Sequence, residues 1–267
     1  MIKALLARKQ QGFRTIGYPD AAPVLPERFR GRPLADATLC APQCHACVEA
    51  CPTGAIAITQ KHLEFDLGRC LFCVDCAEAC PVGAFHYSQD HRLAVRGRSD
   101  LVVRNGEALG LAQALDAKAR SVFGHSLKLR QVSAGGCNAC EADINVLETV
   151  VFDLGRFGIQ FVASPRHADG VLVTGPVTAN MRLALKKTFD AIPSPKFVVA
   201  VGACAISGGP FVDHAEVNNG AGGVIPIDLF IPGCPPHPIT ILDGLLRFLG
   251  RLPGTVRADG HDKAATT

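Results

Sequence analysis

The chain has 267 residues, of which 48% are apolar and 19% charged, and its formal net charge is +3. This composition excludes an intrinsically disordered protein and a protein that binds nucleic acid through a strongly basic surface. At roughly 100–200 residues per domain, the length predicts two compact domains.

Twelve cysteines are the most unusual feature of the composition. The longest apolar runs, such as residues 197–205 and 239–246, are far shorter than the roughly 20 residues of a membrane span, and residues 1–10 are too short for a secretory signal. We therefore expect a cytoplasmic protein. Because cytoplasmic thiols stay reduced, clustered cysteines there indicate a metal site rather than disulfides.

Residues 1–39 are rich in arginine and proline, and we predict that they form an extended N-terminal docking segment. The first nine residues are compatible with a short basic amphipathic helix lying on a partner or on a membrane surface. A frayed, solvated terminus explains the same residues equally well. The residues alone leave both interpretations open.

Residues 40–90 contain two similar units, 40–58 and 70–87, each with a cysteine cluster that ends in Cys-Pro before a β-like run. Between them, apolar alternation at residues 61–65 predicts a second hairpin strand. Each half is too small to fold alone, so bound metal must supply much of its stability. Residues 40–100 are therefore predicted to form one domain.

The second unit contains the run C-x2-C-x2-C-x3-C-P, which is typical of bacterial ferredoxins with two 4Fe-4S clusters. In that motif three closely spaced thiolates hold one cluster, and the fourth reaches the neighbouring cluster. This predicts an α+β ferredoxin-like domain. The expected ligands of one cluster are Cys51, Cys70, Cys73 and Cys76. The expected ligands of the other are Cys40, Cys44, Cys47 and Cys80.

The first unit departs from the motif, because three residues separate Cys40 from Cys44 where two are usual. We favour a bulged loop in which Cys40 still binds its cluster. A three-iron cluster, or a site that lacks one ligand, is the alternative. His45 lies in the same loop, but a single loop histidine is more often solvated or bonded to backbone than a ligand.

Zinc is the competing metal, because four-cysteine zinc sites also use C-x2-C pairs. A zinc ribbon has no need of an interleaved fourth cysteine. It also has no need of two repeats that each end in Cys-Pro. The pattern therefore favours iron–sulfur clusters.

Past residue 100 the pattern changes twice. Residues 108–120, ALGLAQALDAKAR, predict a helix, so residues 101–125 are interpreted as a helical connector. Beyond it, apolar β-like runs alternate with helical segments. The runs are residues 127–132, 159–163, 170–174, 197–201 and 227–231. This alternation predicts a parallel sheet covered on both faces, in an α/β flavodoxin-like domain of residues 126–267.

Four cysteines lie in this second domain. They are Cys137, Cys140, Cys204 and Cys234. They follow predicted strands, and in open parallel sheets sites form outside the carboxyl ends of the strands, so we expect the four to converge on a third cluster. Glycines flank them, and glycine lets backbone amides approach the inorganic sulfides. Cys204 and Cys234, taken alone, would be equally well explained as inert core residues.

Motifs in both halves match known subunits. The first half has RFRGRP at residues 28–33, both cysteine units and FDLGRC at residues 65–70. It resembles the ferredoxin-like subunit of formate hydrogenlyase and related group 4 membrane-bound nickel–iron hydrogenases. The second half has CNACE at residues 137–141, GACA at 202–205 and PGCPP at 232–236. It resembles the small subunit of those enzymes and the 20 kDa subunit of complex I, so the chain looks like a fusion of two subunits.

This resemblance implies an electron-transfer subunit of a multi-subunit oxidoreductase. Its third cluster would lie nearest the nickel–iron site of a large partner subunit, where protons and dihydrogen interconvert. Further iron–sulfur and membrane subunits are implied, with a peripheral position on the inner face of the cytoplasmic membrane. The chain itself has no nickel site, because its C-x2-C pairs are assigned to clusters.

Glu141 directly follows the Cys137–Cys140 pair, and the resemblance assigns to such an acidic residue the transfer of protons towards the metal site. A carboxylate that interacts favourably with a helix N-terminus explains Glu141 equally well. Asp143 and His167 are weaker candidates, because both could simply cap or tie loops.

Two other functions stay open. A complex I-type subunit would pass electrons to quinone, but the complex I counterpart has two adjacent cysteines where this chain has the spaced pair Cys137 and Cys140. Hydrogenase is therefore favoured. A stand-alone electron carrier is the second alternative, and the large second domain argues against it.

Overall fold

The computed structural model describes residues 2–41, 43–59 and 62–252. Its strands are β1 (Pro33–Ala35), β2 (Ile56–Thr59), β3 (His62–Asp66), β4 (Phe85–Tyr87), β5 (Val102–Arg104), β6 (Leu127–Ser133), β7 (Ile159–Phe161), β8 (Gly170–Thr174), β9 (Phe197–Val201) and β10 (Leu229–Ile231). Its α-helices are α1 (Ile2–Gln11), α2 (Ala46–Glu49), α3 (Asp75–Glu78), α4 (Ala117–Phe123), α5 (Ala139–Val146), α6 (Ala179–Ala191), α7 (Ala203–Ser207) and α8 (Pro238–Phe248). None of the helices in these ranges has the length and apolar character needed to cross a bilayer.

The ferredoxin-like part is built from two copies of one local unit. In each copy a one-turn helix, α2 or α3, follows the cysteine loop. A glycine with positive φ, Gly54 or Gly83 (59° and 62°), then turns the chain towards the next strand. β1 pairs with β4, while β2, β3 and β5 form a second antiparallel sheet. The strand predicted at residues 61–65 is β3, and Lys61 lies outside the described residues.

The second part is a five-stranded parallel sheet with the order β10-β9-β8-β6-β7. Counted from its own first strand, this is the 2-1-3-4-5 order of flavodoxin, in which the direction of winding reverses between the first and third strands. All residues of β8 and β9 are buried, as expected for central strands with both faces covered. The predicted α/β flavodoxin-like class is confirmed, and the switch point lies between β6 and β8.

The predicted helical connector is largely wrong. Residues 107–116 form no helix, and only α4 is helical in this region. The backbone N–H of Ala112 donates to the carbonyl of Ala94 (2.7 Å), and that of Leu115 donates to Phe248 (2.9 Å). Leu111 and Leu115 are buried. Burial of these side chains against the rest of the protein therefore overrides a local helical preference.

The two parts of the chain share one hydrophobic core. Its members include Phe65, Leu67 and Val103 from the ferredoxin-like part and Val132, Val173 and Val198 from the parallel sheet. Val95 also extends the parallel sheet through a bridge with Phe230, with N–H to carbonyl distances of 3.0 and 2.9 Å. The Ser207 hydroxyl donates to the Gly68 carbonyl at 2.9 Å. These contacts place the cysteine-rich regions side by side.

Within the segment of residues 1–39 that was predicted to be extended, residues 2–11 form α1 and residues 33–35 form β1. The Tyr18 hydroxyl donates to Asp243 at 2.6 Å, and Asp243 also forms a buried ion pair with Arg247 at 2.8 Å. The Arg156 guanidinium donates to the carbonyl of Tyr18 at 2.7 Å. The segment from residue 15 onwards is therefore fastened to the α/β part. Helix α1, which precedes it, has no buried residue.

Candidate iron–sulfur centres

Four cysteines of the ferredoxin-like part line one cavity. They are Cys51, Cys70, Cys73 and Cys76. The backbone N–H of Ala55 donates to the Cys51 sulfur (3.2 Å), and that of Phe72 donates to the Cys70 sulfur (3.3 Å). Such N–H to sulfur bonds stabilise negative charge on thiolate ligands. The four cysteines brought together are those that the motif predicts for one cluster.

Electrostatics at this cavity favour a cationic occupant. Burial, followed by repulsion from Cys51, Cys76 and Cys73, raises the pKa of the Cys70 thiol to about 12. Thiolates are the form that binds metal, and metal binding releases their protons. Burial likewise raises the pKa of Cys73 and of Cys76, so positive charge in the cavity would favour the thiolate forms of these three cysteines.

Tyr87, which the sequence analysis missed, fastens this cysteine loop. Its hydroxyl donates to the Cys73 carbonyl and lies 3.5 Å from the Cys76 sulfur. Burial, and then the hydrogen bond to Cys76, raise the pKa of Tyr87, so it stays a neutral phenol at physiological pH. One sequence signal was available, namely that tyrosine is rare: the chain has two. In the structure both tyrosines are buried or half-buried and have polar partners.

The second group brings Cys80 next to the first cysteine loop. Burial, then proximity to Cys80 and Cys44, raises the pKa of Cys40. Cys40 and Cys44 likewise raise the pKa of Cys47 after burial does. Burial is the largest single influence on Cys80 and opposes its ionisation, but the backbone N–H groups of residues 82–85 together outweigh burial and lower the pKa of Cys80. The amide nitrogen of Ala84 lies 3.4 Å from the Cys80 sulfur. Cys40 is therefore near the other three members of its predicted set, although it is exposed.

The irregular first cysteine loop has the same left-handed backbone turn as the second loop, one residue before the second cysteine of each loop. Gln43, just before Cys44, has φ 71°, and Phe72, just before Cys73, has φ 53°. Such left-handed backbone is uncommon outside glycine. Its occurrence at equivalent places shows that the two cysteine loops share a backbone turn just before Cys44 and Cys73. Pro42 lies outside the described residues, and the bulged loop stays a prediction. His45 is exposed and precedes α2 without a side-chain cap hydrogen bond.

The third group forms at the carboxyl edge of the parallel sheet, as predicted. Cys137 and Cys140 follow β6, Cys204 lies in α7 after β9, and Cys234 follows β10. Burial, followed by Cys234 and Cys137, raises the pKa of Cys204 to about 12. Burial is also the largest cause of the raised pKa of Cys140, followed by Cys204, Glu141, Cys234 and Cys137.

Glycine makes this convergence possible at two positions. A Cβ at Gly202 would lie 2.6 Å from the Cys140 sulfur, and one at Gly209 would lie 2.8 Å from the Cys204 sulfur. Both distances are far inside normal contact. The prediction that glycines allow close approach at the third group is thus supported at the level of individual atoms.

The Cys51 group surrounds open space rather than a point. In the described part of the chain, no three His, Cys, Asp or Glu side chains come close enough to hold a single metal ion. The Cys51 group instead lines a cavity, and its sulfurs accept backbone N–H bonds as cluster ligands do. The residues present therefore fit a multi-atom iron–sulfur cluster.

The first group (Cys51, Cys70, Cys73 and Cys76) and the third group are neighbours. After burial, Cys137 and Cys73 are the groups that raise the pKa of Cys234. A cleft of about 300 Å³ lies beside them, and its walls include both Phe72 and Cys234. Cys73 belongs to the ferredoxin-like part, whereas Cys234 belongs to the sheet. The sequence carried no signal for this proximity, because Cys73 and Cys234 are 161 positions apart in the chain.

The acidic and histidine candidates differ in their positions. Glu141 is buried in the first turn of α5 and accepts a hydrogen bond from Thr174 Oγ1 at 2.6 Å, at the switch point between β6 and β8. Asp143 lines the cleft beside Cys234, and burial raises its pKa. His167 is exposed and precedes β8, at the amino edge of the sheet. His167 is thus remote from the third group, and only the two carboxylates lie near it.

These features define an iron–sulfur electron-transfer protein in which a ferredoxin-like part is joined to a flavodoxin-like sheet. The profile of the 4Fe-4S dicluster domain matches residues 40–84, and that of the 20 kDa subunit of NADH ubiquinone oxidoreductase matches residues 137–248. The chain belongs to the latter family, which includes subunits of membrane-bound hydrogenases. It carries 4Fe-4S clusters and transfers electrons within a multi-subunit oxidoreductase.

Individual relatives cover different shares of the chain. A probable membrane-bound hydrogenase subunit of Pyrococcus furiosus is 40% identical over 137 residues, which are 51% of this chain and 82% of that protein. Formate hydrogenlyase subunit 7 of Escherichia coli is 44% identical over 130 residues, 49% of this chain and 51% of that protein. A chain of the membrane-bound sulfane sulfur reductase, an archaeal respiratory membrane complex, gives a TM-score of 0.45 at 31% identity over 51% of this chain and 75% of that one.

Proposed function

We propose that the chain holds three 4Fe-4S clusters and relays electrons to or from the nickel–iron site of a large partner subunit, where protons and dihydrogen interconvert. The observation that carries this proposal is the third cysteine group. It lies at the carboxyl edge of the sheet next to Cys73 of the ferredoxin-like part. A free carrier has no need of a further site of this kind at the edge of a second domain.

The positions of the groups support an order of electron transfer. The Cys40 group includes an exposed cysteine and is proposed as the outer site. The Cys51 group is proposed as the middle site, because Cys73 lies beside Cys234. The third group is proposed as the site nearest the partner. When bound, the clusters supply one-electron transfer.

The chain's own residues set the conditions for that transfer. Backbone amides donate to the sulfurs of Cys51, Cys70 and Cys80, and such bonds raise the reduction potential of a bound cluster. At the third site Cys204 is buried and Cys140 is half-buried, whereas Cys137 and Cys234 are exposed. Glu141 is proposed as a proton-transfer group, because it is buried beside Cys140 and held by Thr174.

We also propose a peripheral position on the inner face of the cytoplasmic membrane, within a complex that contains further iron–sulfur and membrane subunits. Relatives described as membrane-bound hydrogenase and formate hydrogenlyase subunits support this position. The matched family also contains subunits of NADH-quinone oxidoreductase. Quinone reduction is therefore the competing outcome.

Anaerobic purification followed by metal analysis tests the proposal. Three clusters predict about twelve irons and as many acid-labile sulfides per chain. Zinc in place of iron would refute the cluster assignment, and about eight irons would refute the third site. A co-purifying large subunit that contains nickel supports the hydrogenase function. A large subunit without nickel, in a complex that reduces quinone, would refute it.

A further inference from the structure

Helix α1 is the part of the described chain that packs least on the rest. Residues 2–14 are all exposed. They include large apolar side chains: Leu5 is 64% exposed, Leu6 is 55% exposed and Phe13 is 90% exposed. Ile2, Leu5 and Leu6 follow the spacing of three to four residues that places side chains on one face of a helix. A helix with an apolar face and no internal partner needs an external one.

The charge of this segment is one-sided. Lys3, Arg8, Lys9 and Arg14 are basic, and residues 1–19 contain no acidic residue. Leu5 and Leu6 are thus accompanied by positive charges within one or two helical turns. This combination is typical of helices that lie in the headgroup region of a membrane with anionic lipids. Lys9 continues the apolar face by one turn, and a lysine there can keep its ammonium group at the level of the headgroups.

An exposed apolar loop of the α/β part lies beside the segment that follows α1. The Thr15 hydroxyl donates to the carbonyl of Val150 (2.8 Å), and the Ile16 N–H donates to Val151 (2.9 Å). Val150 and Val151 are themselves exposed. The chain thus leaves the body beside an apolar loop, and Phe13 lies two residues before the attachment. Glu148 and Asp153 are the acidic residues of this loop, and Arg156 lies beside them.

We propose that α1, Phe13 and the Val150–Val151 loop form a lipid-binding surface that holds the chain on an anionic membrane. This surface would explain how the chain takes the peripheral membrane position proposed above, and the inference rests on that proposal. Anionic lipid is the occupant that the charges favour. The apolar side chains stand singly or in pairs among basic ones, whereas a stable protein interface has a contiguous core depleted of charge.

Co-sedimentation with vesicles tests this surface in the full, cluster-loaded chain. The wild type is expected to bind phosphatidylcholine vesicles that contain phosphatidylglycerol, to bind pure phosphatidylcholine only weakly, and to be released by salt. Each basic residue near an anionic surface contributes about fivefold to partitioning, so changing Lys3, Arg8 and Lys9 together to Gln is expected to weaken binding by roughly a hundredfold.

Apolar insertion needs its own variant and a matched control. Leu5→Glu combined with Leu6→Glu is expected to abolish vesicle binding. Leu183→Glu is the control, because Leu183 lies on α6 and is 61% exposed, so it makes the same chemical change on an unrelated surface. Vesicle binding by the Leu183→Glu variant is expected to match that of the wild type. Unchanged iron content and thermal midpoint in all variants show that they are folded.

Three results would refute the proposed lipid-binding surface. They are no vesicle binding by the wild type, equal binding to charged and neutral vesicles, and unchanged binding by the Leu5→Glu, Leu6→Glu variant. Iron and sulfide analysis of the same samples reports on the clusters separately. Failure of the membrane surface is therefore distinguishable from failure of the proposed electron-transfer function.

Discussion

Replacement of Gly202 by alanine is the sharpest test of how the third cysteine group is built. Gly202 lies between β9 and α7 with φ 88° and ψ 156°, a backbone conformation that is essentially restricted to glycine and costs about 1–3 kcal/mol for other residues. The new Cβ would also lie 2.6 Å from the Cys140 sulfur. Normal contact needs about 3.5–4.0 Å, so the sulfur must move by roughly 1 Å or more.

Such a displacement removes one ligand from its proper place while leaving the ferredoxin-like part intact. Gly202→Ala is therefore expected to lower the iron content from about twelve to about eight atoms per chain. Electron paramagnetic resonance of the reduced protein is expected to lose the signal of the third cluster. The other two signals should stay.

Gly110→Ala is the matched control. A Cβ at Gly110 meets nothing within 4 Å, and its φ lies outside the left-handed region. This variant is expected to keep all its iron. If Gly202→Ala also kept its full iron content and an unchanged spectrum, the inference that Cys140 approaches through the space left by Gly202 would be wrong.

Four further substitutions test single residues. Asp243→Ala removes the buried ion pair between Asp243 and Arg247, so the free energy of unfolding is expected to fall by about 3–5 kcal/mol. Tyr18→Phe removes one hydrogen bond to the same carboxylate and should lower the free energy of unfolding by about 1–3 kcal/mol. Chemical denaturation measures both, and equal losses would contradict the buried-pair explanation. Cys40→Ser is expected to lower the iron content and to alter one ferredoxin-type signal, whereas an unchanged spectrum would show that Cys40 is not a ligand. Glu141→Gln is expected to keep its iron but to slow hydrogen turnover in the complex by about 10²-fold or more, and unchanged turnover would assign Glu141 a structural role.

Short-range features of the protein were predictable from residue order. The spacing of Cys70, Cys73 and Cys76 within one loop specifies how three sulfurs face a common centre, because only a few backbone torsions separate them. The same holds for β8 and β9, whose uninterrupted apolar runs are typical of buried parallel strands. In both cases the interactions that select the structure lie within a few residues, or depend only on burial.

Other features depended on residues far apart in the chain. Residues 108–116 have a helical pattern, yet hydrogen bonds to Ala94 and Phe248 hold this segment in an extended path. His167 was a weaker candidate for proton transfer, and it lies at the amino edge of the sheet, away from the third cysteine group. Local propensity is weak compared with burial and long-range hydrogen bonding. Sequence pattern alone therefore did not predict the conformation of residues 108–116 or the position of His167.

The sequence by itself determined the two domain types, and it predicted which cysteines belong to each group. Only the tertiary structure showed that Cys73 lies beside Cys234, that Thr174 holds Glu141, and that Gly202 leaves room for the Cys140 sulfur. The physical reason is the range of the interactions. A ligand loop is defined by torsions between neighbouring residues, whereas contacts between loops require the packed core that brings the ends of separate strands to one edge.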